Sequence, residues 1–287
     1  MTRASAALLA LGALAYTAWV LEAVLRTGLD PVRTYVSELA ASDQPFGTFF
    51  RATDLVSGTL ILAGAVLGWA GTRPPGTRPS GARGSRTRGP GRAGPPAPGR
   101  VGTPESGESA APGSGRVGGS GAGRAGAPEA GRVWWGREPW AVLGWGALAL
   151  FGAATVADSR LPLSCAATAD PACAARETAG LVPATHTAHA VSSGLAMTGA
   201  LVALVALTMA ARRYGRRRPL ARTGPVVVAL ELAATVWTLA AVAAFEAGKG
   251  TWALGAGQRL QVLLVAVWLA VLAYSLATSR PGPEEER

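Results

Sequence analysis

Residues 184–222 read ATHTAHAVSSGLAMTGALVALVALTMAARRYGRRRPLAR. Two histidines, His186 and His189, open the stretch. A run without a single charge continues to Ala211, and six arginines then fall within eleven residues: Arg212, Arg213, Arg216, Arg217, Arg218 and Arg222. A helix rises about 1.5 Å per residue, so about twenty apolar residues cover the ~30 Å hydrocarbon layer of a bilayer. Ala184–Ala211 therefore reads as a transmembrane helix that ends in a dense basic turn. Basic loops stay in the cytoplasm, so this turn is expected on that side and the histidines on the other.

Five further runs have the same character. They are Ala4–Leu25, broken only by Glu22; Asp54–Ala70, starting near Phe49; Trp140–Ala157; Gly224–Phe245, with Glu231 inside it; and Ala256–Thr278, with Arg259 near its start. The first is long for a secretion signal and lacks a small-x-small cleavage site, so it reads as a retained span. The fold class is all-α: a polytopic membrane bundle of six transmembrane helices. The connectors after spans one, three and five carry few basic residues. Both termini are then expected in the cytoplasm of a cell-membrane protein. Gly64 and Gly68, four apart, suit close helix packing. Trp134, Trp135, Trp140 and Trp145 cluster where the chain re-enters the membrane, and indole rings favour the headgroup level.

Charged residues make up 15% of the chain, against roughly 25% in globular proteins. The net charge of +10 comes almost wholly from arginine, with Lys249 the single lysine. These arginines flank apolar spans without interleaved aromatics, which argues against a nucleic-acid partner. The chain divides into 1–70, holding spans one and two; 71–138; 139–279, holding spans three to six; and a solvated tail at 280–287. The stretch 71–138 is rich in Gly, Pro and Ser and carries eleven Arg against four Glu. It cannot bury enough apolar surface to offset its ordering entropy and reads as a disordered cytoplasmic linker between helices 2 and 3. Membrane lipids are the expected partners, with anionic headgroups available to this linker.

Cys165 and Cys173, the only cysteines, lie eight apart in a short loop on the expected outer side and suit a disulfide. His186 and His189, three apart, share one helix face. H-x-x-H is a weak pattern for a metal such as zinc or for a proton-handling pair, and the bland reading is polar residues at the headgroup level satisfied by water. Topology adds Glu22, Ser37, Glu38, Asp54, Asp158, Glu246 and Arg259 at the same outer depth. Charged groups near the hydrocarbon pair or line a wet cavity. Ser37, Glu38, Asp54, Asp158, His186, His189 and Arg259 are thus candidates to line an outward-opening polar pocket, with Glu231 deeper and apart. His189, Asp158 and Glu38 are the candidates for catalysis. A Ser37–His189–Asp158 triad would lie on one side, but no nucleophile-elbow glycine pattern surrounds Ser37. Ser37 reads more simply as the N-cap of a short helix carrying Glu38.

Three stretches carry a resemblance: Asp30-Pro31-Val32-Arg33 with Tyr35-Val36-Ser37-Glu38-Leu39; Asp158-Ser159-Arg160-Leu161-Pro162-Leu163-Ser164-Cys165; and His189-Ala190-Val191-Ser192-Ser193. With six spans, they make the chain resemble a bacterial membrane family known as domain of unknown function 998. The resemblance implies fold and topology, with no reaction. It leaves out 71–137, where a compact loop would be expected. The favoured reading is a pocket for a lipid headgroup or small amphiphile. The alternative is a membrane-embedded, possibly metal-dependent lipid hydrolase using His186, His189 and nearby carboxylates. A transporter ranks below both, since no inverted repeat or broken-helix pair is visible.

Overall fold

A computed structural model describes residues 2–70, 138–215 and 217–278. The linker 71–137, with Trp134 and Trp135, the residue Arg216 and the tail from 279 lie outside the described residues. Those described form seven α-helices and no strand. They are α1 (Thr2–Tyr16), α2 (Gly47–Ala70), α3 (Pro139–Asp158), α4 (Pro171–Thr178), α5 (Ala184–Tyr214), α6 (Arg218–Glu246) and α7 (Leu254–Ala277). Short 3-10 turns cover Ala18–Ala23 and Val36–Ala40. Six segments are long and apolar enough to cross a membrane: Arg3–Ala23 and the helices α2, α3, α5, α6 and α7. Their outer faces expose large apolar side chains such as Val191, Val226, Val236 and Leu239. Such faces are costly in water and suited to acyl chains. The protein is an all-α, multi-pass integral membrane protein.

Each span packs against its neighbours in sequence, and α7 packs back against α1. The result is a closed ring in the order α1, α2, α3, α5, α6, α7. Inside it lie Trp145, Phe151, Leu148, Leu204, Leu207, Trp268 and Leu269, all fully buried. Lipid supplies no hydrophobic drive between helices, so close backbone approach carries the packing. A Cβ on Gly58 would meet the Gly152 carbonyl at 2.8 Å, and one on Gly199 would meet the Ala147 carbonyl at 2.9 Å. These glycines let α2, α3 and α5 touch. Gly64 and Gly68 serve packing too, by admitting side chains: Leu9 of α1 at the first and the Trp145 ring at the second. Trp145 is therefore a core residue, and the headgroup-level reading fails for it because Gly68 opens a slot for the indole.

Two boundaries differ from the sequence reading. The first span is α-helical only to Tyr16. The Thr17 hydroxyl and N–H both bond the Leu14 carbonyl, at 2.7 and 3.2 Å, and the chain tightens into a 3-10 turn. At the other end of the ring, α5 runs on to Tyr214 and α6 starts at Arg218. Arg212, Arg213, Arg218 and Arg222 thus sit on helix ends, and Gly215, in the left-handed conformation, caps α5.

Candidate functional site

The polar groups expected to converge do gather at the end of the ring that carries the cysteine loop, and most are paired. Arg259 in α7 meets Glu22 in the 3-10 turn after α1. Its Nε and Nη2 donate to the two carboxylate oxygens at 2.6 Å each, and Nη1 donates to the carbonyls of Thr34 at 2.8 Å and Gly255 at 3.2 Å. Both ion-pair side chains are 8% exposed. This fork ties the first connector to α7, aided by the Val36 N–H, which donates to Gln258 Oε1 at 2.6 Å.

Glu38 is a second tie. Its carboxylate accepts the Tyr35 N–H at 3.1 Å, the Thr168 N–H at 2.8 Å and the Thr168 hydroxyl. Burial raises its pKa above the ordinary glutamate value, against the pull of the Thr168 and Tyr35 bonds. The capping of this short helix falls to Glu38 reaching back to Tyr35, the acidic half of a capping box. Ser37 lies inside the helix and is not its cap, a correction to the sequence reading.

The cysteine loop holds the disulfide expected between Cys165 and Cys173. Both sulfurs are buried, and Asp170 caps α4 by accepting the Ala172 N–H at 2.9 Å. His186 staples this loop to α5. Its Nδ1 accepts the Ser164 N–H at 3.2 Å, and Nε2 faces Glu177 at 3.5 Å. His189 turns elsewhere. Its Nδ1 donates to the Leu161 carbonyl at 2.8 Å, Nε2 lies 3.3 Å from Ser193 Oγ, and Asp158 stands 3.6 Å away. Ser192 and Ser193 both donate to Asp158, the latter at 2.7 Å. The Ser193 hydroxyl thus has two acceptors in reach, the Asp158 carboxylate at 2.7 Å and, more distant at 3.3 Å, the Nε2 side of a ring whose Nδ1 donates to Leu161. Among the described residues no group of three His, Cys, Asp or Glu side chains could hold a metal ion.

One cavity lies beside this network. It measures about 100 Å³, with Tyr16, Trp19, Ser37, Asp54, Ser193 and Gln258 in its wall. A water needs on the order of 10–15 Å³ of such space, so several waters or a small head group fit. Phe50, Met197 and Val262 supply apolar surface. Of the sequence candidates, Ser37 and Asp54 reach the cavity, whereas Glu38, His186 and Arg259 are spent on ties. Asp158 and His189 stand behind Ser193. Sequence reasoning missed Tyr16, Trp19, Ser193 and Gln258. Ser192-Ser193 follows His189 closely in the sequence, and Gln258 is the neighbour of Arg259. Nothing in the pattern singled out Tyr16.

A family model described as "Protein of unknown function (DUF998)" matches residues 9–83 and 129–275. The chain belongs to the DUF998 family. The DUF998 match breaks over 84–128, inside the Gly- and Arg-rich stretch that departs from the pattern in the sequence. All the tied and cavity-lining residues named above fall within the two matched segments. No curated protein and no solved structure matches the chain.

Proposed function

We propose that this membrane protein holds the head group of a lipid or small amphiphile in the cavity at its cysteine-loop end. The observation that carries the reading is a set of polar groups left over inside the ring. Asp54, Tyr16 and Ser37 line the cavity and make no hydrogen bond to the described residues, and the Gln258 amide has only its oxygen engaged. Polar groups in a membrane interior that lack protein partners are matched by water or ligand. Apolar wall residues beside them suit an amphiphile. Binding is favoured over hydrolysis because the Ser193 hydroxyl donates to the Asp158 carboxylate at 2.7 Å, with the His189 Nε2 farther off at 3.3 Å, so the serine is held by a carboxylate and not paired closely with an imidazole base. The protein sits in the cell membrane with both termini in the cytoplasm and the cavity outward. The arginine-rich helix ends and the disulfide lie at opposite ends of the ring, which agrees with basic residues staying inside and disulfides forming outside.

The test is intact-mass spectrometry of protein released gently from detergent. The wild type retains one amphiphile per chain, and Met197→Trp, which fills the cavity, loses it while keeping its melting midpoint. A wild type without adduct, or a Met197→Trp variant with the same adduct, refutes the reading.

A further inference from the structure

Resting on the binding site just proposed, we infer that its head-group ligand is a cation: an amphiphile bearing an ammonium or quaternary ammonium group, seated against Asp54. Most buried charges at the cysteine-loop end have a partner. Arg259 is matched by Glu22 in a two-pronged bond. Asp158 accepts two serine hydroxyls and stands 3.6 Å from His189. Glu38 has three donors of its own. Asp54 has neither a hydrogen bond nor an ion pair among the described residues, yet it stands two turns into α2, in the cavity wall, in Coulombic reach of Asp158. A carboxylate at that depth is costly without a counter-charge, and the described residues offer it none.

The rest of the wall suits the same ligand. Tyr16, Trp19 and Phe50 bring aromatic rings to the cavity. Ring faces attract ammonium groups, most strongly where water is excluded. The counter-charge that an anionic head would need is missing: among the described residues no Lys or Arg lines the cavity, its donors are neutral groups such as Tyr16, Ser37 and Gln258, and Arg259 is committed elsewhere. An anion would also face both Asp54 and Asp158. The acyl tail would leave past Met197 and Val262, which continue the wall as apolar surface.

Three amphiphiles of one chain length separate the charge question from the pocket question. Purified protein in a neutral detergent is titrated with dodecylammonium, dodecanol and dodecanoate at pH 7, following binding by thermal shift and by competition for the retained adduct. The wild type is expected to bind dodecylammonium at least tenfold tighter than dodecanol, the minimum for a charge-assisted bond. Asp54→Asn is expected to bind these two alike. Met197→Trp is expected to bind none of the three. Equal affinity for all three, or a preference for dodecanoate, overturns the cationic ligand and leaves the pocket standing. No binding of any probe, with no adduct on the wild type, overturns both. A dodecylammonium preference that survives Asp54→Asn assigns the cation to another group and also overturns the inference.

Discussion

Glu22→Gln is the sharpest perturbation of the ring. Arg259 is 7% exposed, and its guanidinium spends two of its donors on the Glu22 carboxylate at 2.6 Å. The amide keeps the shape but removes the charge, leaving a buried cation with only neutral oxygens, including the Thr34 and Gly255 carbonyls. Removing one partner of a buried pair costs about 3–5 kcal/mol, because the remaining charge stays desolvated. At about 2–4 °C of melting midpoint per kcal/mol for a domain of this size, the loss is roughly 6–20 °C. The assay is unfolding in mixed micelles with rising dodecyl sulfate, followed by tryptophan fluorescence, with a melt in parallel. Glu22→Leu combined with Arg259→Met removes both charges and is expected to recover most of the loss, since paired apolar replacement is near neutral. A Glu22→Gln loss below about 1 kcal/mol, or a double variant as unstable as the two single losses added, would refute the claim that this fork joins the first connector to α7.

Three other outcomes are expected. Glu38 binds its proton more tightly in the folded chain than in the unfolded one, so its contribution is fully present below the ordinary glutamate value and is lost as pH rises through its raised folded pKa; melting midpoints measured from pH 4 upward should fall with a component that Glu38→Gln lacks. Gly58→Ala places a Cβ 2.8 Å from the Gly152 carbonyl and the Val156 nitrogen and should cost about 1–3 kcal/mol, whereas Gly194→Ala meets nothing within 4 Å and should be neutral or stabilising; equal effects in the dodecyl sulfate titration would contradict the tight α2–α3 contact. Glu231, fully buried near the middle of α6, has no close hydrogen-bond partner on either oxygen among the described residues; the nearby Gln261 amide, which interacts with it, donates its hydrogen bond to Thr235 at 2.9 Å; Glu231→Met should raise stability by about 1–3 kcal/mol, and a lower melting midpoint would show that the carboxyl has a partner that matters.

The six spans were legible because length and hydropathy are local: α2, α3, α5, α6 and α7 each contain an apolar run visible in the bare sequence. The disulfide was legible because two cysteines stood alone in one short loop. The break at Thr17 was not, since a threonine hydroxyl bonding back three residues is compatible with a continuous helix in any pattern of apolar residues. Trp145 was misplaced for a related reason. Indole rings favour interfaces on average, and only the slot over Gly68, far away in the chain, makes this one a core residue. The short helix α4 was hidden in a polar loop, where Asp170 and Pro171 start it without any apolar run.

The chain's pattern alone determined how deep each charged residue sits, because depth follows from distance along a helix of known rise. It put Glu22, Glu38, Asp54, Asp158, His189 and Arg259 at one end of the bundle. It could not say which of them face each other, because facing depends on rotation about each helix axis and on the order of helices round the ring. Closure of α7 against α1 decided that Arg259 meets Glu22, 237 residues away, and the docking of the cysteine loop decided that Glu38 meets Thr168, 130 residues away. Asp54 takes part in none of those pairings among the described residues, because its place on α2 turns it to the cavity wall instead.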